Sequence, residues 1–317
     1  MISRRLVVAA AGLSLVTGAA FSAEWPAKPV TMIVPYNPGG TTDILARLAA
    51  DAISASIGQP VVVENKPGAG GVVGATLAAG AANDGYTIFF GNNATNVVQP
   101  LINPAVTYDA IQSFEGIATT ANALVFVGVN AGTGVTELDG FVGYLNDHKV
   151  KFGSAGVGSM GHFSANYFLT ETGAKATHIP YQGSNNAVTA ILSGEIEFMV
   201  DPAVTRQIDN PDMNVIGVIS DERHPAYPDV PTTKEQGYDM SLMGWFGIFA
   251  PEGTDPDAIA AMSAPLKDLI ASDAYRDQVL KMGLLPAYRS PAETDAIVEN
   301  DTAVFTQIRD DAGISIK

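Results

Sequence analysis

The chain has 317 residues, 47% of them hydrophobic and 16% charged, and at about 150 residues per domain that length predicts two domains or lobes. Lys and Arg number 17 against 33 Asp and Glu, a formal net charge of -16, which argues against nucleic acid and anionic membrane surfaces as partners, because both are held by basic side chains. There is no cysteine, so disulfides, thiolate catalysis, Cys-based metal centres and cysteine acylation are excluded, and the apolar content is too high for intrinsic disorder.

The first residues read as a processing signal. Arg4 and Arg5 precede the uncharged apolar stretch Leu6 to Thr17, and small residues then lead to Glu24. This pattern predicts a secretory leader over 1–23, cleaved after Ala20 or Ala23. A membrane anchor is the rival reading, but Leu6 to Ala23 sits near the lower length limit for a span and is diluted by Gly, Ala, Ser and Thr. Removing the leader leaves 15 basic residues against 33 acidic ones, a formal -18. With no later charge-free run long enough to span a bilayer, the mature chain is expected free in the periplasm.

Beyond the leader, short apolar strands alternate with helical periodicity, the pattern of an α/β protein with mainly parallel sheets. Strands are predicted at Val30–Pro35, Val61–Glu64 and Tyr86–Phe90, with helices between them at 44–57, ended by Gly58, and at Val73–Ala82. The grammar restarts with strands at Leu124–Val129, Lys151–Gly153, Thr177–Pro180, Glu195–Val200, Val215–Ser220 and Trp245–Ala250. Helices are predicted at His162–Thr172, Ser184–Ser193, Pro256–Met282 and Pro291–Ala312. There is no internal repeat and no low-complexity linker. Soft boundaries near 124 and 241 give one lobe from 24–124 plus 242–317 and a second from 125–241.

Three glycine-rich segments each follow a predicted strand and open a helix. In Pro35-Tyr36-Asn37-Pro38-Gly39-Gly40-Thr41-Thr42-Asp43, the glycines allow close backbone approach, and Thr41 and Thr42 can cap a helix whose free N–H groups favour an anion. Equally, this is an ordinary capped helix in which Asp43 pairs with Arg47 one turn on. The second segment, Glu64 to Gly71, misses dinucleotide spacing and reads as a tight turn. In the third, Gly156, Gly158 and Gly161 match G-x-G-x-x-G, yet no acid ends the following strand, where Thr177-His178-Ile179-Pro180-Tyr181 stands. What remains is a cradle of N–H groups with the hydroxyls of Ser154 and Ser159, suited to a small carboxylate. Neither of these loops places an Arg at its helix-opening end, so fixed dipoles are expected to hold the ligand in place of salt bridges.

Little in the sequence points to catalysis. Neither serine sits in G-x-S-x-G, and His148, His162, His178 and His224 form no metal-ligand spacing. No metal or cofactor is expected. His162, just after the serine loop, is read first as a capping or hydrogen-bonding group and second as a general base. Asp201 either faces a cleft or starts a turn with Pro202.

At these residues the sequence resembles the extracytoplasmic receptors of tripartite tricarboxylate transporters, the Bug-type binding proteins. The resemblance is carried by an ordered set: Trp25-Pro26-x-Lys28-Pro29, Pro38-Gly39-Gly40-x-x-Asp43, Glu64-Asn65-Lys66-Pro67-Gly68-Ala69-Gly70-Gly71 and Asp84-Gly85-Tyr86-Thr87. It continues through Gly153-Ser154-x-Gly156-x-Gly158-Ser159-x-x-His162, Pro180-Tyr181-x-Gly183, Pro228-Asp229-Val230-Pro231-Thr232 and Trp245-x-Gly247-x-x-Ala250-Pro251-x-Gly253-Thr254. It implies a two-lobed periplasmic binding fold of type II character, a small organic carboxylate in the cleft, membrane permease subunits as partners, a monomer, and no chemistry. Tyr36, Gly40, Thr41, Thr42 and Asp43 in the first loop, and Ser154, Ser159 and His162 in the serine loop, are implied as ligand contacts. Asn92, Asn93, Tyr181, Gly183, Ser184 and Asp201 complete the set. Gln182 and Glu197 depart from the family pattern, and Gln182 bears on which ligand fits. Two other classes stay open: a secreted hydrolase using Ser159 and His162, and a ligand-sensing module for a signalling partner.

Overall fold

The computed structural model describes residues 25–315, so the leader expected over 1–23 lies outside the described residues. The first half of the chain runs β1 (Val30–Val34), α1 (Thr41–Ile57), β2 (Val61–Asn65), α2 (Val72–Ala79), β3 (Thr87–Asn92), a wide helical turn Ala94–Val98 leading into α3 (Gln99–Ile102), and β4 (Phe114–Asn130). The second half runs α4 (Leu138–Asp147), β5 (Lys151–Ser154), α5 (Met160–Thr172), β6 (Thr177–Pro180), α6 (Ser184–Leu192), β7 (Phe198–Asp201), β8 (Met213–Ile219), β9 (Met243–Pro251), α7 (Pro256–Ala271), α8 (Asp273–Lys281), β10 (Leu285–Arg289) and α9 (Pro291–Ala312).

One strand joins two lobes. Residues 114–124 of β4 pair antiparallel with β9, whereas 125–130 pair antiparallel with β8 and 126–129 with β7. The first lobe is ordered β2-β1-β3-β9-β4, with β10 also on β4; the second is ordered β4-β7-β5-β6, with β8 also on β4. Among the described strands, parallel pairing is confined to β1 with β2 and β3, and to β5 with β6 and β7. The sheets are therefore mixed rather than mainly parallel. β4 crosses between the lobes and β9 returns after it; β9 runs against β1, β2 and β3 in the first sheet, and the later part of β4 runs against β5, β6 and β7 in the second.

Packing follows the apolar spacing. α1 buries Leu45, Ala46, Ala49, Ala50 and Ile53 on one stripe, against Val30, Met32 and Val34 of β1 and Met262 and Leu266 of α7. It stops at Gly58, which takes the left-handed conformation (φ 69°) and returns its N–H to Ser54 O. In the second lobe Phe141, Phe152 and Phe198 meet edge-on and tilted, with centroids 5.1 and 5.6 Å apart. Among the described residues no helix is long and apolar enough to cross a membrane.

Five elements depart from the sequence reading. The helix expected over Pro256–Met282 breaks at Ser272, whose extended backbone and Oγ, accepting from Tyr275 N at 3.3 Å, start α8. Four were not anticipated: α3 and β10, α4, whose Leu138, Phe141 and Leu145 are buried, and the first two thirds of β4. That stretch, Phe114 to Ala123, contains Gly, Ala and Thr and no continuous apolar run.

Candidate functional site

The loop from β1 into α1 is held from behind. Asp43 Oδ2 accepts from Gly39 N at 2.9 Å, and its carboxylate also takes bonds from Arg47 (2.9 and 3.0 Å) and Asn65 Nδ2 (2.8 Å). Burial pushes the Asp43 pKa up, but these donors outweigh it and hold the carboxyl below its usual range. Its acceptor capacity is spent on the loop, so Asp43 positions rather than binds. The N-cap of α1 is Gly40, with no side-chain cap. Thr41 and Thr42 are thus the first helical residues, not caps, and the first-turn N–H groups stay unclaimed by side chains.

The serine loop is built on glycine. Gly156 and Gly158 hold φ of 122° and 80°, and a Cβ on Gly161 would run into the Asp201 carboxylate. Ser159 caps α5, its Oγ accepting from His162 N at 3.3 Å. Behind it, His162 and His178 stack with centroids 4.0 Å apart, and Phe152 stacks on His178 at 4.8 Å. Ser154 is fully buried. Its hydroxyl donates to Gly156 O (3.0 Å) and sits 2.7 Å from His178 Nε2; with its one proton so used, it accepts the proton that His178 carries on Nε2. His162 Nδ1 accepts from Gly158 N at 3.3 Å. Desolvation, and for His162 also the charge of His178, lowers both histidine pKa values to about 4.

Between the loops lies a cavity of about 410 Å³. Tyr36, Thr41 and Asn92 line it from the first lobe, and Ser159, Gly183, Ser184 and Asp201 from the second. Asn92 Nδ2 donates to Tyr36 Oη at 3.3 Å, and burial pushes the Tyr36 pKa up to about 12, against the hydrogen bond from Asn92. Asp201 accepts from Ala203 N (2.8 Å) and Ser184 Oγ (3.3 Å). Burial raises its pKa more than these bonds and the nearby Arg206 lower it.

The remaining expected contacts stand behind the wall. Gly40 lines an adjoining hollow. Thr42 and Asn93 are buried, and Asn93 Nδ2 reaches Met160 Sδ at 3.1 Å, tying the end of β3 to α5. Ser154 and His162 shape the serine loop, and Tyr181 donates to Glu195 Oε1 at 2.9 Å. Gln99, Arg206, Met282 and Leu284 also line the cavity, and nothing in the sequence singled them out. Arg47 is held by Asp43 and Lys151 Nζ by Glu195 O, so neither of the two loops presents a cation. The Pro202–Gln207 turn does, through Arg206.

The geometry does not assemble a nucleophile and base at Ser159. Its Oγ meets the backbone N–H of His162, while the imidazole Nδ1 is occupied by Gly158. A second hollow of about 480 Å³ is walled by Phe114, Phe249 and Ile259 with Glu115, Glu252 and Asp295, and it gathers none of the expected contacts.

The chain has counterparts among known proteins. The family model described as "Tripartite tricarboxylate transporter family receptor" matches residues 45–314. Protein BugT of Bordetella pertussis is 30% identical over 319 residues, covering 98% of this chain and 97% of that protein. The R. palustris protein Rpa4515, solved with adipate, superposes with a TM-score of 0.81 at 28% identity, over 92% of this chain and 99% of that one. MatC from Rhodopseudomonas palustris, with bound malate, gives 0.77 at 27% identity over 90% and 99%. With a family model spanning most of its length and a full-length relative at this identity, the chain belongs to the tripartite tricarboxylate transporter family receptors.

Proposed function

We propose that this protein is a periplasmic receptor that captures a small organic carboxylate between its lobes and delivers it to the permease subunits of a tripartite tricarboxylate transporter. The observation that carries the reading is the 410 Å³ cavity walled by hydroxyl and amide side chains from both lobes. The malate and adipate held by two solved relatives support a carboxylate as cargo. The ligand bridges lobes spanning 24–124 with 242–317 and 125–241, and closure around it creates the surface that the permease reads. The protein works as a monomer and performs no covalent chemistry. Thr41, at the opening of α1, and Ser159 supply the principal contacts, with unclaimed N–H groups beside them.

A thermal-shift panel of carboxylates on ligand-stripped protein tests this, since a ligand at a hundred times its dissociation constant adds about 2.7 kcal/mol. No shift with any carboxylate would reject the reading. Losing a hydrogen bond to a charged group costs roughly 1.5–3 kcal/mol, or about ten- to a hundredfold in affinity. Calorimetry should therefore show Ser159→Ala impaired by that factor, with Lys151→Gln close to wild type; the reverse order would place the ligand elsewhere. Mass spectrometry of a periplasmic extract should find a mature chain beginning at Phe21 or Glu24. An intact Met1 in the membrane fraction would contradict export.

A further inference from the structure

Resting on the carboxylate-receptor reading, we infer that the cleft carries a second, cationic subsite built on Arg206 and Lys281, which selects a linear dicarboxylate over the monocarboxylate of equal length. A hollow of about 450 Å³ adjoins the ligand cavity and shares Thr41, Arg206 and Met282 with it. Its lining includes Gly39, Gly40 and Lys281, and it contains two charged side chains, both positive. In a chain with 33 acidic and 17 basic residues, a cleft annex with no carboxylate runs against the composition.

Both cations are available. Arg206 and Lys281 are exposed, and among the described residues neither forms an ion pair. Arg206 Nη1 donates to Asn185 Oδ1 at 3.1 Å, which fixes the guanidinium while leaving its other donors unclaimed. The same annex meets the N-terminal end of the 17-residue α1, where Gly40 provides no side-chain cap and the helix dipole adds to the positive field. Asp43, in that first turn, is neutralised by Arg47.

The two chambers differ in charge balance. The inner cavity holds the carboxyl of Asp201, which a second anionic group would have to face, and shares Arg206 with the annex; the annex adds Lys281 and contains no carboxylate. A ligand with one carboxylate at Thr41 and Ser159 therefore gains most by placing its other carboxylate towards Arg206 and Lys281. A charged hydrogen bond at such a site is worth about ten- to a hundredfold in affinity.

Calorimetry with matched pairs tests this: succinate against butyrate, adipate against hexanoate, suberate against octanoate. In wild type, at least one dicarboxylate should bind ten- to a hundredfold more tightly than its monocarboxylate. In Arg206→Gln, Lys281→Gln and the double variant, that ratio should shrink, most in the double, whereas Ser159→Ala should lower both members together. Equal affinities within every pair, or a ratio that survives the double variant, would overturn the subsite and leave the receptor reading standing. Failure of all six acids to bind would overturn both.

Discussion

Gly158→Ala is expected to weaken carboxylate binding about ten- to a hundredfold while leaving the chain folded. Gly158 belongs to the serine loop of the second lobe, at φ 80°, and a Cβ there would press on Ile102 Cδ1 and lie 3.3 Å from Gln99 Nε2. Those two side chains belong to α3, which follows β3 of the first lobe, so the added methyl group acts across the cleft. Overpacking of this kind costs roughly 1–3 kcal/mol, and opening the lobes relieves it. Ligand binding must then restore the strained contact, and each 1.4 kcal/mol is about tenfold in affinity. Gly156→Ala is the control: its φ is 122°, but its Cβ would meet only Tyr181 O, at 3.4 Å. It should lower thermal stability with less effect on affinity. Ile102→Val removes the obstructing Cδ1 and should restore most of the binding in the Gly158→Ala background. Unchanged affinity in Gly158→Ala, or no rescue by Ile102→Val, would show that the loop and α3 do not close on each other.

Those glycines also show what the sequence could reveal. G-x-G-x-x-G was legible as a pattern, and the absent acid after the next strand argued against a dinucleotide. Its actual work is steric: Gly158 lets the loop meet α3, and Gly161 leaves room for Asp201. Such contacts depend on segments far apart in the chain, which periodicity does not report. The outer strands and most helices were legible because their apolar spacing is local, as in α1. β4 was legible only over Leu124–Val129, where the run is apolar. Its earlier part buries Thr119, Thr120 and Ala121 completely because β9 and β10 flank it, a burial imposed by position rather than by hydrophobicity. Of the site, Ser159 and Thr41 could be read from their place at helix openings, and Asp43 from its four-residue spacing to Arg47. Arg206 could not, because a single Arg in Pro202–Gln207 carries no motif until the fold turns it into the cleft.

Between pH 7 and pH 4.5, wild type should lose about 2–4 kcal/mol more stability than a His162→Asn, His178→Asn double variant. Both imidazoles have folded-state pKa values near 4, below the unfolded value of about 6.5. The folded protein therefore binds fewer protons than the unfolded chain across this window, and stability falls as pH falls from about 6.5 towards 4. The cause is structural. Protonating His162 at Nδ1 would turn the acceptor of the Gly158 N–H into a donor, and its ring would then stack as a cation on His178 at 4.0 Å. At about 1.36 kcal/mol per pKa unit, two such groups would account for nearly 5 kcal/mol, and solvent access to the half-buried His178 reduces this to about 2–4. Asp301 works in the opposite direction: burial raises its pKa to about 6, despite the bond from Trp245 Nε1 at 2.8 Å. Its protonation therefore favours the folded state as pH drops below 6, and buried Asp201 acts with the same sign. The wild-type curve alone is consequently shallow, but both aspartates remain in the variant and cancel in the difference. Urea unfolding of the two proteins at both pH values measures it. Parallel pH dependence would mean that the stacked histidines titrate normally and that the serine loop does not rest on a neutral pair.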